Sequence, residues 1–117
     1  MSTIRGWWEE NSELTQKFFN HELGLPGAAP HECSPAINRA VVQQHLASPA
    51  MWSIFQLQDL LGLDAHLRRA DADAERINVP ANPNHYWRYR LHLTLEQLQR
   101  AAEFNSQLRS LLVENSR

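Results

Sequence analysis

Residues 50–64 read AMWSIFQLQDLLGLD, and the fold turns on how that stretch is interpreted. Residues 50–57 are almost continuously apolar and do not alternate as a half-exposed strand would. That pattern fits a strand buried on both faces, as in a parallel sheet packed between helices. A short buried helix is the competing reading, and periodicity alone does not exclude it. The strand reading has a cost. Nothing else in the chain reads convincingly as a partner strand, and a lone strand leaves two rows of backbone donors and acceptors unpaired. Either the domain is all-α, or this is a piece of a larger sheet. The order helix, loop, helix, buried strand, loop, helix would suit the last turn of a β/α barrel.

Working outward from this run, the flanking sequence is mainly helical. TIRGWWEEN (3–11) and SELTQKFFNHEL (12–23) read as two short helices, with Trp7, Trp8, Leu14, Phe18 and Phe19 at helical spacing. GLPGAAPHE (24–32) carries two glycines and two prolines, so residues 24–33 form a loop. Ser34 and Pro35 start a helix as cap and first-turn proline. It continues through AINRAVVQQHLAS, with Ile37, Val41, Val42 and Leu46 on one face, and Pro49 ends it. Downstream, LRRADADAER (67–76) reads as a charged surface segment, and the Asn and Pro residues of 76–84 imply irregular backbone. Thr94 and Gln97 make a capping-box pattern. It opens a helical region holding Leu95, Leu98, Ala102, Leu108 and Leu112, with a break expected near Asn105. There is no internal repeat and no low-complexity segment.

The 117 residues allow one domain at most, or part of one. A composition 43% hydrophobic and 21% charged is that of an ordinary soluble globular chain. The formal charge of −2 argues against wholesale nucleic-acid binding. The charge is uneven, however: residues 1–75 carry five basic against ten acidic side chains, and 76–117 carry six against three. Arginine dominates, Lys17 being the only lysine. Cys33 stands alone, which leaves no internal disulfide and points to a reducing cytoplasm. No apolar run approaches the ~20 residues that span a bilayer, and the N-terminal residues lack a hydrophobic signal region. No membrane role is expected.

Local chemistry is sparse. The six histidines form no HxH or HExxH pair, so surface or core-edge positions are expected rather than a metal site. There is no phosphate-cradling glycine motif, no nucleophile elbow and no calcium-loop pattern around Asp59, Asp64, Asp71 and Asp73, and these acids read as a solvated face. No cofactor is implied. Trp7 and Trp8 read as core, and Cys33 as a plain thiol. The stretch RINVPANPNHYWRYRLH (76–92) is the unusual one, because an Asn-Val-Pro and an Asn-Pro are followed by interleaved aromatics and arginines.

Two stretches carry a resemblance. SPAMWSIFQLQDLLGLD (48–64), followed by ERINVPANPNHYWRYRLHLTLEQL (75–98), resembles the C-terminal end of 4-α-glucanotransferases, the amylomaltases or disproportionating enzymes. The likeness is to the bacterial and plant subgroup whose ending is written NPxHYWRYR. Gln58, Asp59, Asn78, Pro80, Trp87 and Arg88 or Arg90 match the wider family skeleton QDLLGL, N-x-P and NWxWR. STIRGWWE (2–9) is similar to the family segment just after its His-Asp catalytic motif, so the likeness runs from residue 2 to about residue 112.

The resemblance implies a retaining transferase on a (β/α)8 barrel. An Asp nucleophile forms a covalent glucosyl-enzyme, a Glu serves as acid and then base, and the 4-hydroxyl of a second glucan takes the place of water. None of these carboxylates, nor the third Asp that binds sugar hydroxyls, falls on a matched position here. Residues 1–117 are therefore expected to be the C-terminal end of such a barrel, an incomplete domain of last helices, one buried strand and C-terminal helices. Residues 76–90 become a loop at the active-site rim, since barrel sites lie at the C-terminal ends of strands. Asn78, Pro80, Asn82, Gln58 and Asp59 are the substrate-binding candidates, with maltooligosaccharides or α-1,4-glucans as ligands and the N-terminal part of the barrel as partner. Tyr86, Trp87 and Tyr89 are read first as packing of the loop on the barrel wall, with a sugar-stacking face as the alternative. Arg88 and Arg90 are expected to pair with carboxylates such as Asp59. The rival class is a small helical interaction or RNA-binding module using the arginine- and aromatic-rich C-terminal third. An open strand edge also makes self-association an expectation.

Overall fold

Thr3 begins the first helix: its hydroxyl accepts from the Gly6 amide at 3.1 Å, which satisfies a donor the helix start leaves open. In the computed structural model, which describes residues 2–116, helix α1 runs Ile4–Glu10 and α2 runs Ser12–Lys17, with Asn11 capping the second through Leu14 N. A π-helical turn, Phe18–Glu22, continues α2. The wider turn brings Phe19 into the core beside Trp8 and sets Phe18 edge-on against Trp7, with ring centroids 5.3 Å apart. Gly24 follows in the left-handed region at φ 65°, which costs glycine nothing.

The loop after that turn is sewn down by amides. Gln16 and Asn20 both donate to Gly27 O at 3.0 Å, and Gln16 Oε1 accepts from Ala29 N at 2.8 Å. Trp8 is fully buried under the loop and donates its indole N–H to Pro30 O at 2.9 Å. The main core is thus Trp8, Phe19, Cys33 and Ile37. Burial pushes the Cys33 thiol up to about 12, so it stays protonated and inert.

Helix α3, Pro35–Ala47, starts at Ser34 as the cap-and-proline signal implies, and buries Ile37, Asn38, Val41 and Val42. Helix α4 is short, Leu57–Leu61, and packs against α3. A 3-10 turn covers Asp73–Glu75. Helix α5, Leu95–Arg100, opens with the Thr94–Gln97 capping box, and α6 covers Ala102–Glu114.

The chain is mainly helical and has no strand among the described residues. Three expectations change. Residues 50–56 are non-helical, but they form no ladder and are not buried: Met51 is 86% exposed, Trp52 79% and Ile54 88%. Apolarity is a true signal, but burial does not follow from it, because nothing among the described residues covers these side chains. From Leu57 the same run becomes helix. Next, the segment 67–76 is only partly a surface: Asp71 and Asp73 are exposed, but Ala72 and Glu75 are buried, and of the acids expected on a solvated face Asp59 is buried as well. Last, the C-terminal helix breaks at Ala101, not Asn105. Ala101 leaves helical geometry at ψ 65°, while Asn105 lies inside α6 and donates its side-chain amide back to Leu98 O at 2.8 Å, tying off the end of α5. The Cα radius of gyration of 14.9 Å exceeds the roughly 13 Å of a compact chain of this length, in keeping with a surface only partly closed.

Candidate functional site

The proline-rich stretch after Glu75 is irregular because Pro80 and Pro83 cannot donate backbone hydrogen bonds and fix their own φ. Two tight turns shape it instead. Asn82 N donates to Val79 O at 3.0 Å, and His85 N to Asn82 O at 3.1 Å. The Asn82 side chain reinforces the second turn by accepting from Asn84 N at 2.9 Å. His85 bonds Ile77 O through its ring at 2.8 Å, which closes the loop on itself.

Asn78 is half-buried, and its carbonyl Oδ1 accepts from the indole N–H of Trp87 at 3.2 Å. This bond fixes which way the amide faces and leaves Nδ2 available to donate. Trp87 and Tyr86 stand 73% and 69% exposed beside it. The Arg88 guanidinium lies 5.1 Å over the Tyr86 ring. Pro80 and Asn82 are exposed at the tip. The outer face of the loop therefore combines amide donors and acceptors with flat aromatic surface.

Gln58 and Asp59 are elsewhere. Both are buried in α4 and face inward. Gln58 donates to Glu75 O at 3.2 Å. Asp59 Oδ1 accepts from Ile4 N at 2.8 Å, joining α4 to the start of α1, and Asn38 donates to Asp59 O at 2.7 Å. Burial raises the Asp59 carboxyl above its ordinary range, and the Ile4 amide only partly opposes this. So Asn78, Pro80 and Asn82 share one loop, and Gln58 and Asp59 are engaged away from it, Gln58 with the Glu75 carbonyl and Asp59 in joining α4 to α1 and α3. The expected pairing of Arg88 and Arg90 with Asp59 is absent among the described residues. Asp59 turns to a backbone amide, Arg88 to Tyr86, and the Arg90 carbonyl accepts from Arg69 at 2.6 Å.

One polar feature escaped the sequence. Arg5, on α1 next to Trp8, is buried and meets Glu75 at 2.9 Å, where the carboxylate is 2% exposed. The available signal was a charge set within an apolar helical stripe, Arg5 lying one turn before Trp8. No group of three or more metal-binding side chains occurs among the described residues, and none of their helices is long and apolar enough to cross a membrane.

Comparison with known proteins bears on this arrangement. A family model described as 4-alpha-glucanotransferase matches residues 1–95. A rice protein (Oryza sativa subsp. japonica) described as 4-alpha-glucanotransferase DPE2 is 39% identical over 116 residues, covering 99% of this chain and 12% of the relative. The chain thus spans only a small part of that relative's length. No solved structure matches.

Proposed function

Because this chain belongs to the 4-alpha-glucanotransferase family, we propose that it contributes the rim loop of an enzyme that transfers α-1,4-glucan segments between maltooligosaccharides. The reaction is a retaining double displacement on carboxylates outside these residues. The observation that carries the proposal is the outer face of residues 76–90. Asn78 presents a directed amide beside exposed Trp87 and Tyr86, a combination suited to sugar hydroxyls and the apolar faces of pyranose rings. Asn82 and Pro80 extend that face, while Gln58 holds the Glu75 carbonyl where the loop begins.

Residues 51–56 fit the same reading as the last barrel strand. They are non-helical and largely apolar, and residues 51–55 make no backbone–backbone hydrogen bond among the described residues, as in a strand whose neighbours lie in the rest of a (β/α)8 barrel. A reducing cytoplasmic setting is consistent with the lone buried Cys33. Family membership does not favour the RNA-binding or interaction-module alternative.

The test has two parts. Purified residues 1–117 incubated with maltotriose should yield neither glucose nor longer oligomers, because no catalytic carboxylate is matched here. In a full-length family enzyme carrying this segment, Asn78→Ala should lower turnover several-fold, the effect of losing a hydrogen bond of roughly 0.5–1.5 kcal/mol. Unchanged kinetics would return Asn78 to scaffolding, and oligomer production by the isolated segment would overturn the reading.

A further inference from the structure

The loop that carries Asn78 and Asn82 is held within itself by tight turns, the ring bond of His85 and the Asn78–Trp87 bond. Both of its ends are also tied to one short stretch, residues 69–75. At the entrance, Glu75 Oε1 receives Arg5 Nη1 at 2.9 Å and the Arg69 backbone amide at 3.3 Å, while Gln58 holds the Glu75 carbonyl. Arg5 also donates to Arg69 O at 2.7 Å and Ala70 O at 3.3 Å. At the exit, the Arg69 side chain donates to Arg90 O at 2.6 Å, and its guanidinium lies 5.7 Å from the centre of the Tyr89 ring. Arg69 thus touches the entrance with its backbone and the exit with its side chain.

An ion pair buried this deeply is a poor way to gain stability, since desolvation offsets most of the attraction, but it fixes geometry. A planar guanidinium that reaches three oxygens fixes it more closely than a lysine could. What such geometry would serve is the loop, because polar recognition is lost when groups drift by about 1 Å.

We propose that Arg5, Arg69 and Glu75 are positioning residues that hold the two ends of loop 76–90 so that Asn78 and Asn82 meet a glucan in one arrangement. The clamp is argued from geometry, and its purpose rests on the glucan-binding reading above.

The test uses the intact chain, with 15N relaxation of the amides of residues 77–90 and titration with maltoheptaose. In Arg69→Ala, loop order parameters should fall from roughly 0.85 to below about 0.6 while the helices stay rigid, and affinity for maltoheptaose should drop several-fold. Arg69→Lys, which can still reach Arg90 O, should restore much of both. Glu75→Gln should loosen the entrance in the same way, and Arg69→Ala carries the test if that variant does not fold. A loop as rigid in Arg69→Ala as in the wild type overturns the clamp. A loosened loop with unchanged affinity overturns its positioning role. A loosened loop in a protein whose wild type gives no shifts with maltoheptaose supports the clamp and removes the glucan-binding reading instead.

Discussion

Gly62 shows how closely single side chains decide this structure. It ends α4 at an ordinary φ of −59°, so an alanine there meets no backbone strain. A Cβ would instead lie 2.8–2.9 Å from the Asn38 amide, which is fully buried and bonded to Asp59 O. Replacing glycine normally gains about 0.4–1 kcal/mol through the unfolded chain, whereas overpacking costs about 1–3 kcal/mol. Gly62→Ala should therefore be net destabilising in urea titration, and a gain in midpoint would mean that Asn38 moves aside freely. Asp59 gives a pH prediction. Its folded carboxyl titrates above the ordinary 3.8, so its contribution to stability is full below that value and is lost as pH rises through the raised one. Asp59→Asn keeps an acceptor for Ile4 N and should remove that loss. Urea midpoints stepped upward from below pH 3.8 should fall for the wild type relative to the variant, and a relative rise would refute this. None of this was legible in the sequence. Asp59 was readable as a matched family position, but its inward direction depends on where α1 starts, which no local pattern encodes.

The elements were legible where a local chemical signal marks them. Ser34-Pro35, the Thr94–Gln97 box and the glycines after the π turn each act within a few residues, and the structure follows them. The Ala101 break was misplaced because Asn105 acts across it, from the next helix. Residues 50–57 failed for a different reason: apolar character reports a need for cover without saying whether the same chain supplies it. That need predicts behaviour. Ile54 is 88% exposed, so Ile54→Lys removes no internal packing and should leave the unfolding midpoint within about 0.5 kcal/mol of wild type. A charge on an open apolar edge opposes edge-to-edge association, so sedimentation should show self-association of the wild type reduced in this variant. A wild type that sediments as a monomer at high concentration would refute the open edge.

The molecule as a whole is tied together by bonds between residues far apart in the chain. Arg5 reaches Glu75, Arg76 reaches Glu10 and Ser2, and Ile4 reaches Asp59. No pattern of helix caps or stripes announces such pairs, so the way the first helix closes over the middle of the chain was the least legible part of the fold. The rim-loop assignment came from family resemblance, and only the Asn78–Trp87 bond gives it a physical orientation. The Arg5–Glu75 bond also has a consequence in time. It joins positions separated by 70 residues, and closing so long a loop is entropically unfavourable until other contacts have brought its ends together. The helices can therefore assemble first and the ion pair lock afterwards, on the native side of the barrier. Stopped-flow traces of Glu75→Gln should then show faster unfolding with refolding little changed. Slowed refolding would place the pair in the nucleus. A late lock of this kind sets how long the folded chain survives rather than how quickly it forms.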